Sequence, residues 1–156
     1  MNLTATSVAD YRVRLEDFLS QNEFPKEPLK LYESVNHIMN IKGKRIRPLL
    51  ALASCELLGG DVELALAPAA AVEIFHNFTL VHDDILDASE IRRGQPTVHM
   101  KYGENQAILA GDAMIPWAYD MLMKNDPENL ADLMRVFNLV CKEVIDGQQL
   151  DIDFET

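Results

Sequence analysis

Asp83, Asp84 and Asp87 stand close together at the end of the run His76-Asn77-Phe78-Thr79-Leu80-Val81-His82-Asp83-Asp84-Ile85-Leu86-Asp87. On a helix turning by about 100° per residue, Asp83 and Asp87 are one turn apart on one face, and His76 lies two turns earlier, almost in line with both. Carboxylates so placed repel each other, and at the C-terminal end of their helix the backbone dipole opposes them as well. A divalent cation reverses that balance. Magnesium takes oxygen ligands, keeps several waters and is commonly held by one or two carboxylates together with substrate phosphates, so the pair Asp83 and Asp87 suits its incomplete shell. The alternative is a solvated acidic helix end. Phe75, Phe78, Leu80, Val81, Ile85 and Leu86 argue instead for a buried helix, on which unpaired carboxylates are costly.

Two basic segments accompany these acids. In Gly43-Lys44-Arg45-Ile46-Arg47-Pro48, three cations precede a predicted helix N-terminus, whose free N–H groups and positive partial charge attract phosphate. Gly43 lets the backbone approach a ligand closely. The alternative is a surface basic turn that aids solubility. In Ile91-Arg92-Arg93-Gly94, two adjacent guanidiniums can each grip a diphosphate bidentately, or can neutralise Asp83, Asp84 and Asp87 directly. Together the segments describe a site with two grips. Metal held by carboxylates would bind one diphosphate; Lys44, Arg47, His76 and Arg93 would bind another without metal.

The elements that must position these groups read as helices. The chain has 156 residues, 48% hydrophobic and 25% charged, an ordinary globular composition for a single domain over residues 1–156. Period-two alternation is rare, while helical periodicity recurs, so the fold class is all-α. Helices are predicted over Val8 to Ser20, Leu29 to Met39, from Pro48 to the Gly59-Gly60 stop, Pro68 to Leu86, Glu104 to Lys124, and from Asp126-Pro127-Glu128 to the end of the chain. Asp61 is a candidate helix cap. Ala88 to Gly94 reads as a charged turn and Pro96 to Gly103 as irregular. Leu49, Leu50, Leu52, Ala53, Leu57 and Leu58 give the third helix a broad apolar surface.

The 25 acidic residues outnumber the 14 basic ones, for a net charge of -11, which repels nucleic acid and anionic membranes. Cys55 and Cys141 match no metal motif and read as buried free thiols of a reducing compartment. Met1 to Thr6 carries no signal-peptide pattern, and no apolar run is read as long enough to span a bilayer, so a soluble cytoplasmic protein without stable membrane insertion is expected.

Taken in order, Gly43-Lys44-Arg45-Ile46-Arg47-Pro48, His76-x6-Asp83-Asp84-x-x-Asp87 and Arg92-Arg93-Gly94-x-Pro96-Thr97 resemble the motif set of the trans-prenyl (polyprenyl) diphosphate synthases, the farnesyl and geranylgeranyl diphosphate synthases among them. Gly147-Gln148-Gln149-Leu150-Asp151 is similar to a fourth segment of that family. The likeness runs from about Leu29 to Asp153. It implies an antiparallel helical bundle of the isoprenoid synthase type, of which this chain would be about the N-terminal half.

It also implies a prenyltransferase that condenses an allylic diphosphate with isopentenyl diphosphate. Asp83 and Asp87 would bind Mg2+ at the allylic diphosphate, which Arg92 would contact. Gly43, Lys44, Arg47, His76 and Arg93 would hold isopentenyl diphosphate, with Gln148 near the allylic substrate and His99 and Tyr102 shaping the site. His82 reads as structural. The implied chemistry is ionisation of the allylic C–O bond, attack by the isopentenyl double bond on the resulting cation, and loss of a proton to the released diphosphate. Phe78 and Thr79, five and four places before the first aspartate, would set product length and favour farnesyl or geranylgeranyl products. The wheel turns Phe78 away from the Asp83 face, where a core phenylalanine is the alternative. The chain contains no second Asp-Asp-x-x-Asp, as expected of a truncated chain. Two other readings share these helices: a non-catalytic subunit binding a prenyl diphosphate or a partner, and a class I terpene cyclase relative. A homodimer is expected by the same resemblance.

Overall fold

Helical periodicity carries through residues 7–155, the part of the chain that a computed structural model describes; Met1 to Thr6 lie outside it. The elements are α1 (Val8–Gln21), α2 (Leu29–Asn40), α3 (Ile46–Leu57), α4 (Val62–Leu86), β1 (Ile91–Arg92), β2 (Gln95–Pro96), α5 (Val98–Tyr102), α6 (Glu104–Leu122) and α7 (Pro127–Glu155). The fold is all-α as predicted, apart from one two-stranded hairpin.

α4 is the axis of the fold. Its Ala70 and Ala71 are fully buried, as are Ala107, Ala110 and Ala118 of α6, and these small side chains let the two helices approach closely. One core lies between α4, α6 and α2, around Val35, Ile38, Ile74, Val81, Met114 and Met121. A second lies between α1, α3 and the start of α4, around Tyr11, Leu15, Leu52 and Leu66.

The starts of two helices differ from expectation, and the stretch read as irregular holds the short α5. α4 begins at Val62, with Pro68 inside it, because the Asp61 carboxylate accepts a hydrogen bond from the Glu63 N–H at 2.9 Å and caps the extra turn. Burial of Val62 and Leu66 on the second core offsets the intrahelical bond that Pro68 cannot make. α3 likewise begins at Ile46, two residues before Pro48. It ends as predicted, with Gly59 N–H bonding the Glu56 carbonyl at 2.9 Å and Gly60 N–H bonding the Cys55 carbonyl at 2.8 Å.

The apolar surface of α3 is buried on one side only. Leu49 and Leu52 enter the second core, whereas Leu50, Leu57 and Leu58 are exposed. A correction also applies to bilayer-spanning length: α4, at 25 residues, is long and apolar enough by composition. Most of that length is enclosed by the other helices, as a core helix requires. Cys55 and Cys141 are free, and half-buried rather than buried. Burial pushes the Cys141 thiol up to about 11.

Candidate functional site

Lys44 and Arg47 owe their position to Arg45. Arg45 takes a left-handed backbone at φ 52, caps the entry to α3 and turns its guanidinium inward. There its Nη1 meets Glu73 Oε1 of α4 at 2.6 Å and its Nη2 donates to the Met39 carbonyl at 2.7 Å. Its Nε reaches Glu16 Oε1 at 3.4 Å. Asn77 Nδ2 donates to the same Glu73 oxygen at 3.0 Å. The middle cation of the basic run is therefore an internal anchor, and the flanking Lys44 and Arg47 are left outward, paired with no carboxylate among the described residues.

Around these two cations opens a cavity of about 460 Å³ whose wall includes Gly43, Lys44, Arg47, His76 and Arg93, the five residues expected at the metal-free grip. Arg93 comes from the turn between β1 and β2. Arg93 and Gly94, at φ 52 and 79, form the two-residue connection, a type I′ turn that suits hairpin twist. A Cβ on Gly43 would lie 2.1 Å from Arg93 Nη1, so the glycine is the floor on which that guanidinium rests. Arg47 Nη1 stands 3.2 Å from His76 Nε2. A guanidinium only donates, so His76 Nε2 is the acceptor and the ring proton sits on Nδ1. Burial holds the His76 pKa below its ordinary value, with Arg47 the next cause; Arg93 and Arg92 add to the lowering and Glu73 opposes it.

This depression has a sign that stability measurements can read. Unfolded His76 takes a proton near pH 6.5 while the folded ring resists it, so the unfolded state binds more protons. Stability therefore falls as pH drops through 6.5 toward the lower folded value. His76→Gln removes that slope from urea melts repeated across this range.

Arg47 and His76 also border a second groove, of about 520 Å³, between α4 and α7. Its wall carries Asp83, Phe78 and Thr79 from α4 and Gln148 from α7. Phe78 thus shares a groove with Asp83 while also belonging to the first core, the alternative the wheel offered. The groove follows the gap between two helices and spans more than one face of α4. Phe78 is nearly buried, tilted against Phe75 at 5.4 Å and edge-on to His82 at 4.8 Å. His82 packs on α6, where a Cβ on Gly111 would meet its Nε2 at 2.3 Å, and it also borders this groove, although the wheel turns it away from Asp83.

Asp87 and Arg92 border neither cavity. Arg92 is a brace: its Nε lies 3.0 and 2.9 Å from the two carboxylate oxygens of fully buried Asp84, and its Nη2 lies 2.7 Å from Asp84 Oδ1. That bond pushes the Arg92 pKa up. Direct neutralisation, one of the two readings of the arginine pair, is realised for Arg92 and not for Arg93. Nη1 and the second N–H of Nη2 are what Arg92 has left for a ligand. Tyr102 lines a separate cavity with Lys42 and Arg93, and His99 keeps a buried Nδ1 without a partner among the described residues.

With Asp84 committed, Asp83 and Asp87 remain without an ion pair among the described residues. Burial raises the Asp83 pKa, and the charge of Asp87 raises it further, against the opposing pull of Arg92. Repulsion of this kind fits a donor set awaiting a hard cation. No third acid, histidine or cysteine completes a cage among the described residues, so such a cation would draw its remaining ligands from water and phosphate oxygens.

Comparison with known proteins agrees with the motif order. The family profile described as Polyprenyl synthetase matches residues 28–156, and the chain belongs to that family. A geranylgeranyl diphosphate synthase of Methanosarcina mazei is 44% identical over 131 residues, covering 83% of this chain and 40% of that protein. A crystal structure of a geranylgeranyl pyrophosphate synthase superposes with a TM-score of 0.94 at 43% identity, covering 97% of this chain and 46% of that one. The geranyltranstransferase of Thermotoga maritima superposes with a TM-score of 0.87 at 33% identity, over 95% of this chain and 56% of that one. The chain thus spans less than half the length of the first two.

Proposed function

We propose that this chain supplies the isopentenyl diphosphate site and the first aspartate-rich grip of a prenyltransferase that makes a short-chain, farnesyl or geranylgeranyl, trans-prenyl diphosphate. The observation that carries this reading is the pair of cavities meeting at Arg47 and His76, one walled by cations and the other bearing Asp83. In the first, Lys44, Arg47 and Arg93 bind the isopentenyl diphosphate head without metal. Neutral His76 orients Arg47 by accepting its hydrogen bond. In the second, the allylic chain lies along the α4–α7 gap, with Gln148 beside it and Phe78 and Thr79 limiting its length. Magnesium, held by Asp83 and Asp87, would neutralise charge on the departing diphosphate.

The test is an incubation of the protein with geranyl diphosphate, isopentenyl diphosphate and magnesium, with product analysis and parallel calorimetric titrations of each substrate. Isopentenyl diphosphate is expected to bind in EDTA, and the allylic diphosphate only with magnesium. Binding of both without product fits a chain that carries these two grips and not the whole catalytic set. No binding by a helical, folded protein overturns the proposal.

A smaller effect is expected of Gly43→Ala. The new methyl group displaces only the flexible end of Arg93, so stability changes by less than about 0.5 kcal/mol. Isopentenyl diphosphate affinity in EDTA falls by roughly tenfold, the scale of one charge-assisted contact moved off its ligand.

The same reading includes a cytoplasmic homodimer. Exposed Val136, Leu139, Ile145 and Phe154 along α7 support self-association. Analytical ultracentrifugation checks it, and a monomer at tens of micromolar on the affinity scale of such contacts would remove the dimer from the proposal.

A further inference from the structure

Lys101 is held in place by neutral groups. Its ammonium lies 3.2 Å from His37 Nδ1 and 5.1 Å from the centroid of the Tyr102 ring. His37 Nε2 in turn lies 2.8 Å from the Pro96 carbonyl. A carbonyl only accepts, so the ring proton sits on Nε2, and Nδ1 is the lone pair that receives Lys101. The lysine is positioned by this relay without being neutralised by it.

Lys101 borders a cavity of about 740 Å³ between the C-terminal part of α2, the hairpin and α5. Lys42 and Arg93 stand on the same wall, and none of the three pairs with a carboxylate among the described residues. Glu33 is the single acid of the lining, while Asn36 and Gln95 add amide donors. Three cations facing one acid, in a chain of net charge -11, make a strongly localised positive field. Its chemistry suits a compact anion with several oxygens. Lys42 and Arg93 also line the cavity of Gly43, Lys44 and His76, so the two spaces share a wall of two cations.

We propose that this cavity is a second, metal-independent anion site that takes inorganic diphosphate and competes with isopentenyl diphosphate for Arg93 and Lys42. The anion site itself stands on the geometry of Lys101; only the identity of the competing substrate rests on the proposed prenyltransferase reading. Two anions cannot both hold the same guanidinium at full strength. Diphosphate in the Lys101 cavity therefore weakens isopentenyl diphosphate in its neighbour, and by linkage the reverse holds equally. Because condensation releases inorganic diphosphate, the site would make the reaction sense its own co-product.

The experiment is a calorimetric titration of the protein with inorganic diphosphate in EDTA, repeated on Lys101→Ala, Lys44→Ala and Arg93→Ala, with circular dichroism on each sample. Two binding events are expected in the parent protein; isopentenyl diphosphate displaces one of them outright and weakens the other, and an event left at full strength by isopentenyl diphosphate would remove the competition from the proposal. Lys101→Ala weakens the other event by about tenfold or more, the scale of one charge-assisted contact, and leaves direct binding of isopentenyl diphosphate alone within about twofold. Lys44→Ala does the opposite, and Arg93→Ala weakens both. Diphosphate binding that is unchanged in Lys101→Ala, or wholly abolished by Lys44→Ala in a helical sample, overturns the proposal. Isopentenyl diphosphate that fails to bind while the Lys101-dependent event persists would sink the prenyltransferase reading and leave the anion site standing.

Discussion

Asp83→Asn and Asp87→Asn each weaken magnesium-supported binding of an allylic diphosphate by on the order of 10²-fold, the scale of removing one preorganised electrostatic partner at a charged site. Calorimetry with and without magnesium reads this directly. Without metal the sign reverses for Asp87. Its charge is the second cause, after burial, of the raised Asp83 pKa. Removing it relieves a like-charge pair one helical turn apart, so Asp87→Asn stabilises the metal-free protein by about 0.2–0.5 kcal/mol.

The pH dependence follows from the same shift. Folded Asp83 holds its proton at higher pH than the unfolded residue, so its contribution to stability is fully present below the ordinary carboxylate range. That contribution is lost as pH rises through the raised folded value. Asp87→Asn shrinks this loss. Magnesium must also displace the proton, so its affinity declines as pH falls into the range where Asp83 is protonated. A variant that loses magnesium-supported binding together with metal-free stability would mean the acids cap or brace the fold. Loss of one with gain of the other identifies a metal grip.

The sequence made the fold class and much of the site legible because both rest on local spacing. Asp83 and Asp87 share a face through helical geometry alone. Gly43, Lys44 and Arg47 share a turn, and the ordered motifs placed His76 and Arg93 opposite them. Pairings between distant segments were not legible. Asp84 differs from Asp83 by one position, yet that step of about 100° around the helix turns it into the interior toward Arg92. Arg45 sits between two outward-facing cations, and nothing local distinguishes it; its partner Glu73 is 28 residues away. The hairpin is not legible because two-residue strands show no alternation, although Arg93-Gly94 is a usable turn signal. Phe78 lies in the core, as its place on the wheel allows, and also reaches the groove, since a gap between α4 and α7 is bounded by more than one face of α4.

Arg45→Met should destabilise the protein by about 3–5 kcal/mol, the cost of leaving a buried carboxylate without its ionic partner. Arg45 and Glu73 have side chains 8% and 5% exposed, so solvent cannot replace the lost guanidinium. Asn77 supplies Glu73 with one neutral donor, which does not offset a buried charge. Glu73→Gln costs less, because Arg45 keeps the Met39 carbonyl and half-exposed Glu16. The double substitution Arg45→Met/Glu73→Leu removes both charges and costs less than the sum of its parts; urea denaturation of the parent, Arg45→Met, Glu73→Leu and the double variant gives the coupling. The consequence reaches the site. Arg45 anchors the turn that presents Lys44 and Arg47, so the double variant, even when folded, binds isopentenyl diphosphate more weakly than the parent in EDTA. A double variant with parental affinity would show that the turn holds its shape without the anchor, and would confine Arg45 to stability alone.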